Sequence, residues 1–206
     1  MNGDMTASRR RLLKASLGAL VLGGTAGGQA AAAVSGAADK ARMFGLARAG
    51  IDRLGSSVKH RDVVGLADFS SPSKAPRFHL LDMQSGQVRS LLVAHGRGSD
   101  PSHTGWLRSF SNAFGSAASS EGAYVTGDYY VGKHGRSMRL QGMDPGNNNA
   151  MARAIVVHGA WYVSPQMASE RGVLGRSEGC FAFAQNDLPQ VLERLGPGRL
   201  LLAGKF

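Results

Sequence analysis

His158–Phe183 reads HGAWYVSPQMASERGVLGRSEGCFAF, and it holds the only cysteine of the 206-residue chain, Cys180. Its first residue closes the apolar run AIVV and is followed at once by Gly159. A histidine there stands where a buried strand emerges, and side chains held by a rigid strand end beside a loop are good candidates for a site. At the other end, Gly179 precedes the cysteine, so the backbone can come close to a bound carbonyl. Backbone N–H groups around Gly179 and Cys180 are then placed to hold an oxyanion. Ser177 completes an S-x-G-C pattern, a common one by chance.

Whether a lone thiol is inert or reactive depends on its compartment, and the N-terminus speaks to that. SRRRLLK, residues 8–14, precedes the glycine-interrupted apolar segment ASLGALVLGGTAGG and the alanine-rich QAAAAV. A charged region, a short apolar region and a small-residue zone form the layout of a secretory signal. Arg9 and Arg10 resemble the paired arginines of a twin-arginine signal. The apolar run falls short of the roughly 20 residues of a spanning helix. Residues 1–33 are therefore expected to be a twin-arginine-type signal peptide cleaved near Ala33, with no stable membrane insertion afterwards. The expected destination is the periplasm or cell envelope, where paired thiols oxidise. Cys180 has no partner in the chain, which leaves a free reactive thiol or a buried inert one.

Residues 34–206 are enough for one domain with a proper core. The net charge is +10 for the whole chain; the segment to residue 33 contributes three of it, leaving about +7. The basic residues are scattered rather than interleaved with aromatics, which points away from nucleic acid and toward an anionic wall or membrane surface.

Helical spacing of Phe44, Ala47, Ile51 and Leu54 predicts an amphipathic helix over 37–54 that ends at Gly55. DVVGLADF, RFHLLDM and QVRSLLVAH read as strands, with Ser85-Gly86 as a hairpin turn. Residues 96–122 are rich in Gly, Ser and Asn and lack periodicity, as functional loops often do. GAYVTGDYYVG, HGRSMRLQGM and ARAIVVHGAWYV follow as further strands. LPQVLERL reads as a helix capped at Asn186-Asp187 and stopped by Gly196-Pro197-Gly198, and RLLLAGKF closes the chain as a strand. The fold class is mainly β (α+β): a single sandwich- or barrel-like domain with a few peripheral helices.

A thiol gains a nucleophile's reactivity from a partner that takes its proton, most often a histidine oriented by a third group. His60, His79, His95 and His103 lie in ordinary strand or loop contexts. His158 is the first candidate for the partner, and His134, in GKHGRS, the second. A zinc site from His134, His158 and Cys180 lacks the close ligand spacing such sites use. No metal and no cofactor is expected.

HGAWYVSPQMASERGVLGRSEGCFAF resembles the active-site segment of the murein L,D-transpeptidase catalytic domains of YkuD type, with a histidine-glycine pair, a loop and an [S/T]-x-G-C motif. GDYYVGKHGRSMRLQGMDPGNNN and HTGWLRSFSN are similar to preceding segments in one branch of that family, and the likeness covers most of 90–206. The resemblance implies a β-sandwich-like fold, Cys180 as the acylated nucleophile and His158 as general base. It also implies that the Gly159 carbonyl orients the imidazole, with Ser177 and Gly179 at the remaining motif positions. Arg176, His134, Trp161 and Tyr130 are the expected substrate contacts. Two positions depart from the pattern. Ala182 stands where many members carry a substrate-binding arginine, a charge that Arg176, Lys133 or Arg136 would have to replace, and Glu178 stands where a histidine or lysine is common.

The implied function is a cysteine acyltransferase acting on peptidoglycan stem peptides. The alternatives are an L,D-carboxypeptidase or other cysteine peptidase that uses water, and a non-catalytic wall-binding protein. The sequence leaves the oligomeric state open.

Overall fold

Val64 and Leu66 alternate along the first strand with Val63 and Ala67, and Leu200 and Leu202 alternate along the last with Leu201 and Ala203; all eight are buried. Strands apolar on both sides must be covered on both sides, and that requirement organises the domain. A computed structural model describes residues 26–206, with side chains from residue 36 onward. The twin-arginine segment lies outside the described residues. Residues 1–36 and 37–206 form separate units.

Eight strands, β1 (Val63–Asp68), β2 (Phe78–Asp82), β3 (Val88–Leu91), β4 (Gly122–Gly132), β5 (Gly135–Gly142), β6 (Val156–Ala160), β7 (Phe181–Ala184) and β8 (Leu200–Gly204), form one mixed sheet. Their order is β3-β2-β1-β8-β4-β5-β6-β7. The β1–β8 and β6–β7 pairs are parallel and the others antiparallel. The sheet curls until its ends meet: just past β3, the Ala94 N–H donates to Ala182 of β7 at 2.9 Å, and Gly96 bridges Ser177. The mainly β, barrel-like expectation is thus realised as one sheet that nearly closes on itself.

The inward residues of all eight strands share one core, with Phe69, Phe78, Phe181 and Phe183 among its largest members. Phe78 and Phe183 meet edge to face at 4.7 Å. Helix α3 (Leu188–Leu195) plugs this core with Val191, Leu192 and Leu195. Asp187 stands at its N-cap, as the sequence indicates, but accepts from the Gln190 side chain instead of capping the backbone. Helix α1 (Ala26–Leu54) covers the outer face of β1, β2, β4 and β8 through Phe44, Ala47 and Ile51. It starts well before the expected position 37, because the alanine-rich segment is itself strongly helix-forming.

Two elements escape the sequence reading. Helix α2 (Pro165–Arg171) is capped by Ser164, whose hydroxyl accepts from the Met167 N–H at 3.0 Å. Strand β7 is the four-residue FAFA directly after the cysteine. With Leu92, Ala94 and Ala160, its two alanines build a third apolar cluster, against which Ala168 of α2 packs. None of the described helices is long and apolar enough to cross a membrane.

Deleting the ring at the closure of the core should be costly. Phe183→Ala is expected to lower stability by about 3–5 kcal/mol in urea unfolding. Val131→Ala, on an 82% exposed side chain of the β4–β5 hairpin, should stay within about 0.5 kcal/mol. Equal effects would contradict this placement of the core.

Candidate active site

His158 does not end its strand, as the apolar run suggests, but is the middle residue of β6. Parallel pairing with β7 sets it opposite Ala182, so Cys180, two residues before Ala182, lies diagonally from it on the same face of the sheet. Both line a pocket of about 680 Å³. His158 is 1% exposed, and its Nδ1 lies 2.9 Å from the carbonyl oxygen of Gly159. A carbonyl only accepts, so Nδ1 carries the proton and Nε2 keeps its lone pair. That is the orienting contact expected of Gly159.

The loop before the thiol is held from several sides. Ser177 donates its hydroxyl hydrogen to the Cys180 carbonyl at 2.7 Å and accepts from the Gly179 N–H at 3.1 Å. The Gly179 carbonyl accepts from the Ser119 hydroxyl at 3.2 Å. Gly179 has φ +118°, and a Cβ there would meet the Ala118 oxygen at 2.6 Å; strain and crowding both select glycine. One expectation is corrected: the Gly179 N–H is occupied by Ser177, so it is not free for an oxyanion, and the Cys180 N–H is the candidate that is left. Ser177 is therefore a loop fastener, 4% exposed, rather than a substrate ligand.

The thiol is half-buried and donates to the Ala154 carbonyl at 3.5 Å, not to His158. Burial pushes its pKa up; an N–H bond from Val156 and the charges of Lys133 and Arg153 pull the other way, while Glu178 adds to the rise. Burial also drives His158 down, to about 4, against the Gly159 hydrogen bond, with His134 and Lys133 depressing it further. Both shifts favour the uncharged forms, so near pH 7 the pair rests as neutral thiol and neutral imidazole.

The expected substrate contacts separate on inspection. His134 lines the pocket and stacks on His158, with ring centroids 4.1 Å apart and planes 17° from parallel. Tyr130 also lines it, with the Arg139 guanidinium 4.5 Å over its ring. Arg176 lines it too, anchored by hydrogen bonds to the Asp100 and Pro101 carbonyls. Trp161 does not line it; it is 74% exposed and sits at an adjoining cavity of about 270 Å³ that shares Tyr162 and Arg176. Lys133 reaches the pocket, whereas Arg136 lies over the Tyr129 ring at 4.6 Å.

Both departures have physical reasons. Ala182 is fully buried among Leu92, Ala94 and Ala160, where an arginine would leave a charge unpaired in an apolar cluster. Glu178 is exposed at the pocket's edge and pairs with Arg97 at 3.5 Å. Among the described residues, no group of three metal-ligating side chains is placed to hold an ion.

Arg153 escapes the sequence reading. Its guanidinium lines the pocket and makes four hydrogen bonds, to Ser111 and Ala118 carbonyls and to Ser116 and Ser120 hydroxyls. It thereby fastens the irregular 111–120 segment to the pocket wall, and among the described residues no carboxylate pairs with it. The next residue, Ala154, takes φ +53°, at roughly 1–2 kcal/mol for a side chain with a β-carbon, and presents its carbonyl to the thiol. His95 is a second omission. The Arg77 guanidinium, which can only donate, holds its Nδ1 at 2.7 Å, which leaves the ring proton on Nε2, 3.6 Å from Asp100. All three are buried, and the His95 carbonyl accepts from the Ser177 N–H at 2.9 Å. The only hint in the sequence is position: Arg153 is the lone charge at the head of ARAIVVHG.

The chain is similar to an L,D-transpeptidase from Mycobacterium smegmatis at 13% identity and a TM-score of 0.41, covering 69% of this chain and 58% of that one. For L,D-transpeptidase 3 from Mycobacterium tuberculosis the figures are 14%, 0.44, 69% and 61%. For the helical cell shape determining protein of Campylobacter jejuni they are 12%, 0.45, 69% and 47%. The chain spans less than two thirds of the length of each. No curated protein matches it. The family model described as L,D-transpeptidase catalytic domain matches residues 37–203, which take in the whole eight-stranded sheet but its final residue, and both His158 and Cys180: the chain belongs to the family of L,D-transpeptidase catalytic domains.

Proposed function

We propose that the protein is a cysteine acyltransferase that cross-links peptidoglycan stem peptides through a thioester on Cys180. The observation that carries this reading is the meeting of Cys180 and His158 in one pocket, with the Nδ1 proton of His158 committed to Gly159. Family membership supports it. The pocket wall adds Arg97, Lys133, Arg153 and Arg176 against the single carboxylate of Glu178, a balance suited to peptides that carry several carboxylates.

In this mechanism His158 Nε2 takes the thiol proton as Sγ attacks the carbonyl between an L-centre and a terminal D-residue. The Cys180 N–H donates to the oxyanion. The carbon–nitrogen bond breaks, the imidazolium proton passes to the departing D-amino acid, and a thioester remains. An amine of a second stem peptide then attacks, His158 takes its proton, and the carbon–sulfur bond breaks as the new amide forms. The sulfur recovers the proton. The thioester conserves the energy of the broken peptide bond, so no ATP is needed. Arg176 is the substrate-binding cation, since it is anchored through Nη1; Tyr130 flanks the groove, and Trp161 contacts only substrate that extends beyond it. Water in place of the amine gives the carboxypeptidase reading.

Because thiol and imidazole rest uncharged, attack needs the base. His158→Ala should slow acylation by roughly 10²–10⁴-fold with an unchanged unfolding transition, and Cys180→Ser should form no adduct. Intact mass after incubation with tetrapeptide muropeptides should show the acyl-enzyme in wild type and a cross-linked product only with an amine acceptor. Adduct-free wild type would reject the acyltransferase; adduct with hydrolysis alone would select the carboxypeptidase.

Export to the cell envelope through residues 1–33 belongs to the same proposal. Replacing Arg9 and Arg10 with Lys should retain the precursor in the cytoplasm, as fractionation reads; unchanged export through the twin-arginine route would refute it.

A further inference from the structure

The β4–β5 hairpin turns at Lys133-His134, with Gly132 opposite Gly135 and Gly135 in the left-handed region at φ +74°. Since β5 pairs with β6, Met138 opposite Val157, the hairpin tip reaches over the strand that carries His158. The turn itself is exposed, yet it sets the His134 ring flat against the imidazole, 4.1 Å between centroids and 17° between planes. We propose that His134 is a positioning residue for the base, its ring fixing the plane of His158 and keeping water off one face; this rests on the reading of His158 as base.

The geometry supplies a need for such a residue. One hydrogen bond, Nδ1–H to the Gly159 carbonyl, fixes one atom of the ring and leaves rotation about that bond. A second ring stacked on the face removes the remaining freedom, so that Nε2 keeps its aim at the pocket. Offset or near-parallel ring contacts add about 0.5–1.5 kcal/mol beyond their buried area, enough to select one orientation. The stack also contributes to the burial that holds His158 unprotonated near neutral pH. His134 is itself shifted down, by burial and then by Lys133, so near pH 7 the two rings stack without mutual repulsion. The other titratable or charged groups around the pair are the Cys180 thiol and Glu178 on the loop before β7, Arg153 ahead of β6, Arg97 and Arg176 across the pocket, and the phenols of Tyr130 and Tyr162.

This role differs from substrate contact in what it moves. A residue that only touches peptide leaves the reaction of Cys180 with a small neutral reagent unchanged. A residue that seats the base alters it. The test is iodoacetamide alkylation of Cys180 across pH in the full chain, comparing wild type, His134→Ala, His134→Phe and His158→Ala. His134→Ala is expected to alkylate about tenfold more slowly at pH 7, short of the loss for a missing base. Its acid limb should also move to higher pH, because an unshielded, unrepelled His158 takes a proton more readily. His134→Phe keeps a flat ring and no charge, and should recover the wild-type rate at pH 7, with its acid limb between those of wild type and His134→Ala because it shields the imidazole without repelling it.

Wild-type behaviour in His134→Ala would overturn the proposal, as would a Phe variant as slow as the Ala variant, or a change confined to KM for peptide. Should His158→Ala alkylate like wild type, the base assignment fails instead; a loss there with no effect at His134 leaves the base and removes only this inference.

Discussion

Everything at the site depends on the parallel pairing of two short strands, β6 and β7. The parallel register sets His158 opposite Ala182, and because alternate residues share a face, Cys180, two residues before Ala182, comes to lie diagonally beside the imidazole. Chain connectivity alone would not achieve this, since 21 residues and helix α2 separate the two. Strand β7 is only four residues long and would be marginal if paired on one side. The bridge from Ala94 supports its other side and closes the sheet, while Phe181 and Phe183 bury its inner face. The small side chains of Ala182 and Ala184 let the covering segment come close on the outer face. Core packing and the juxtaposition of Cys180 with His158 are therefore one constraint, which is why position 182 has no room for a charge.

Around that pairing, neutral dipoles and fixed cations do the rest. Ser177, Ser119 and the Gly159 carbonyl spend their hydrogen bonds on backbone or imidazole and fix the Cys180 loop and the His158 ring, the reacting groups of the proposed mechanism. Preorganisation of this kind removes the entropic and reorientation cost from the reactive step. The buried Arg77–His95–Asp100 chain sits behind the same loop. Its arginine and aspartate supply opposite charges in a dry environment, where breaking one partner is far more disruptive than at a surface.

The sequence revealed the parts whose signal is local. His158 at the end of AIVV and Cys180 after S-x-G could be read directly, as could α3 and seven of the strands, because periodicity and turn residues lie within a few positions of one another. What stayed hidden depends on distant partners. FAFA carries no strand-length pattern and becomes β7 only through β6 and Ala94. Arg153 draws four acceptors from residues 111–120, a segment with no periodicity to place it. The Gly179 N–H reads as an open donor until Ser177 is seen to take it, and Trp161 reads as a groove residue until its exposure is known. The expected cap at Asp187 marks the right position, though its carboxylate bonds a side chain.

The central claim is that a neutral imidazole, protonated on Nδ1 and bare on Nε2, faces the Cys180 pocket in the resting protein. Nitrogen-15 NMR of the histidine rings across pH, assigned with His158→Ala, tests it most directly. The account predicts that His158 shows the Nδ1–H tautomer at pH 7 and takes its second proton only near pH 4. An imidazolium at pH 7, or a neutral ring protonated on Nε2, would contradict it.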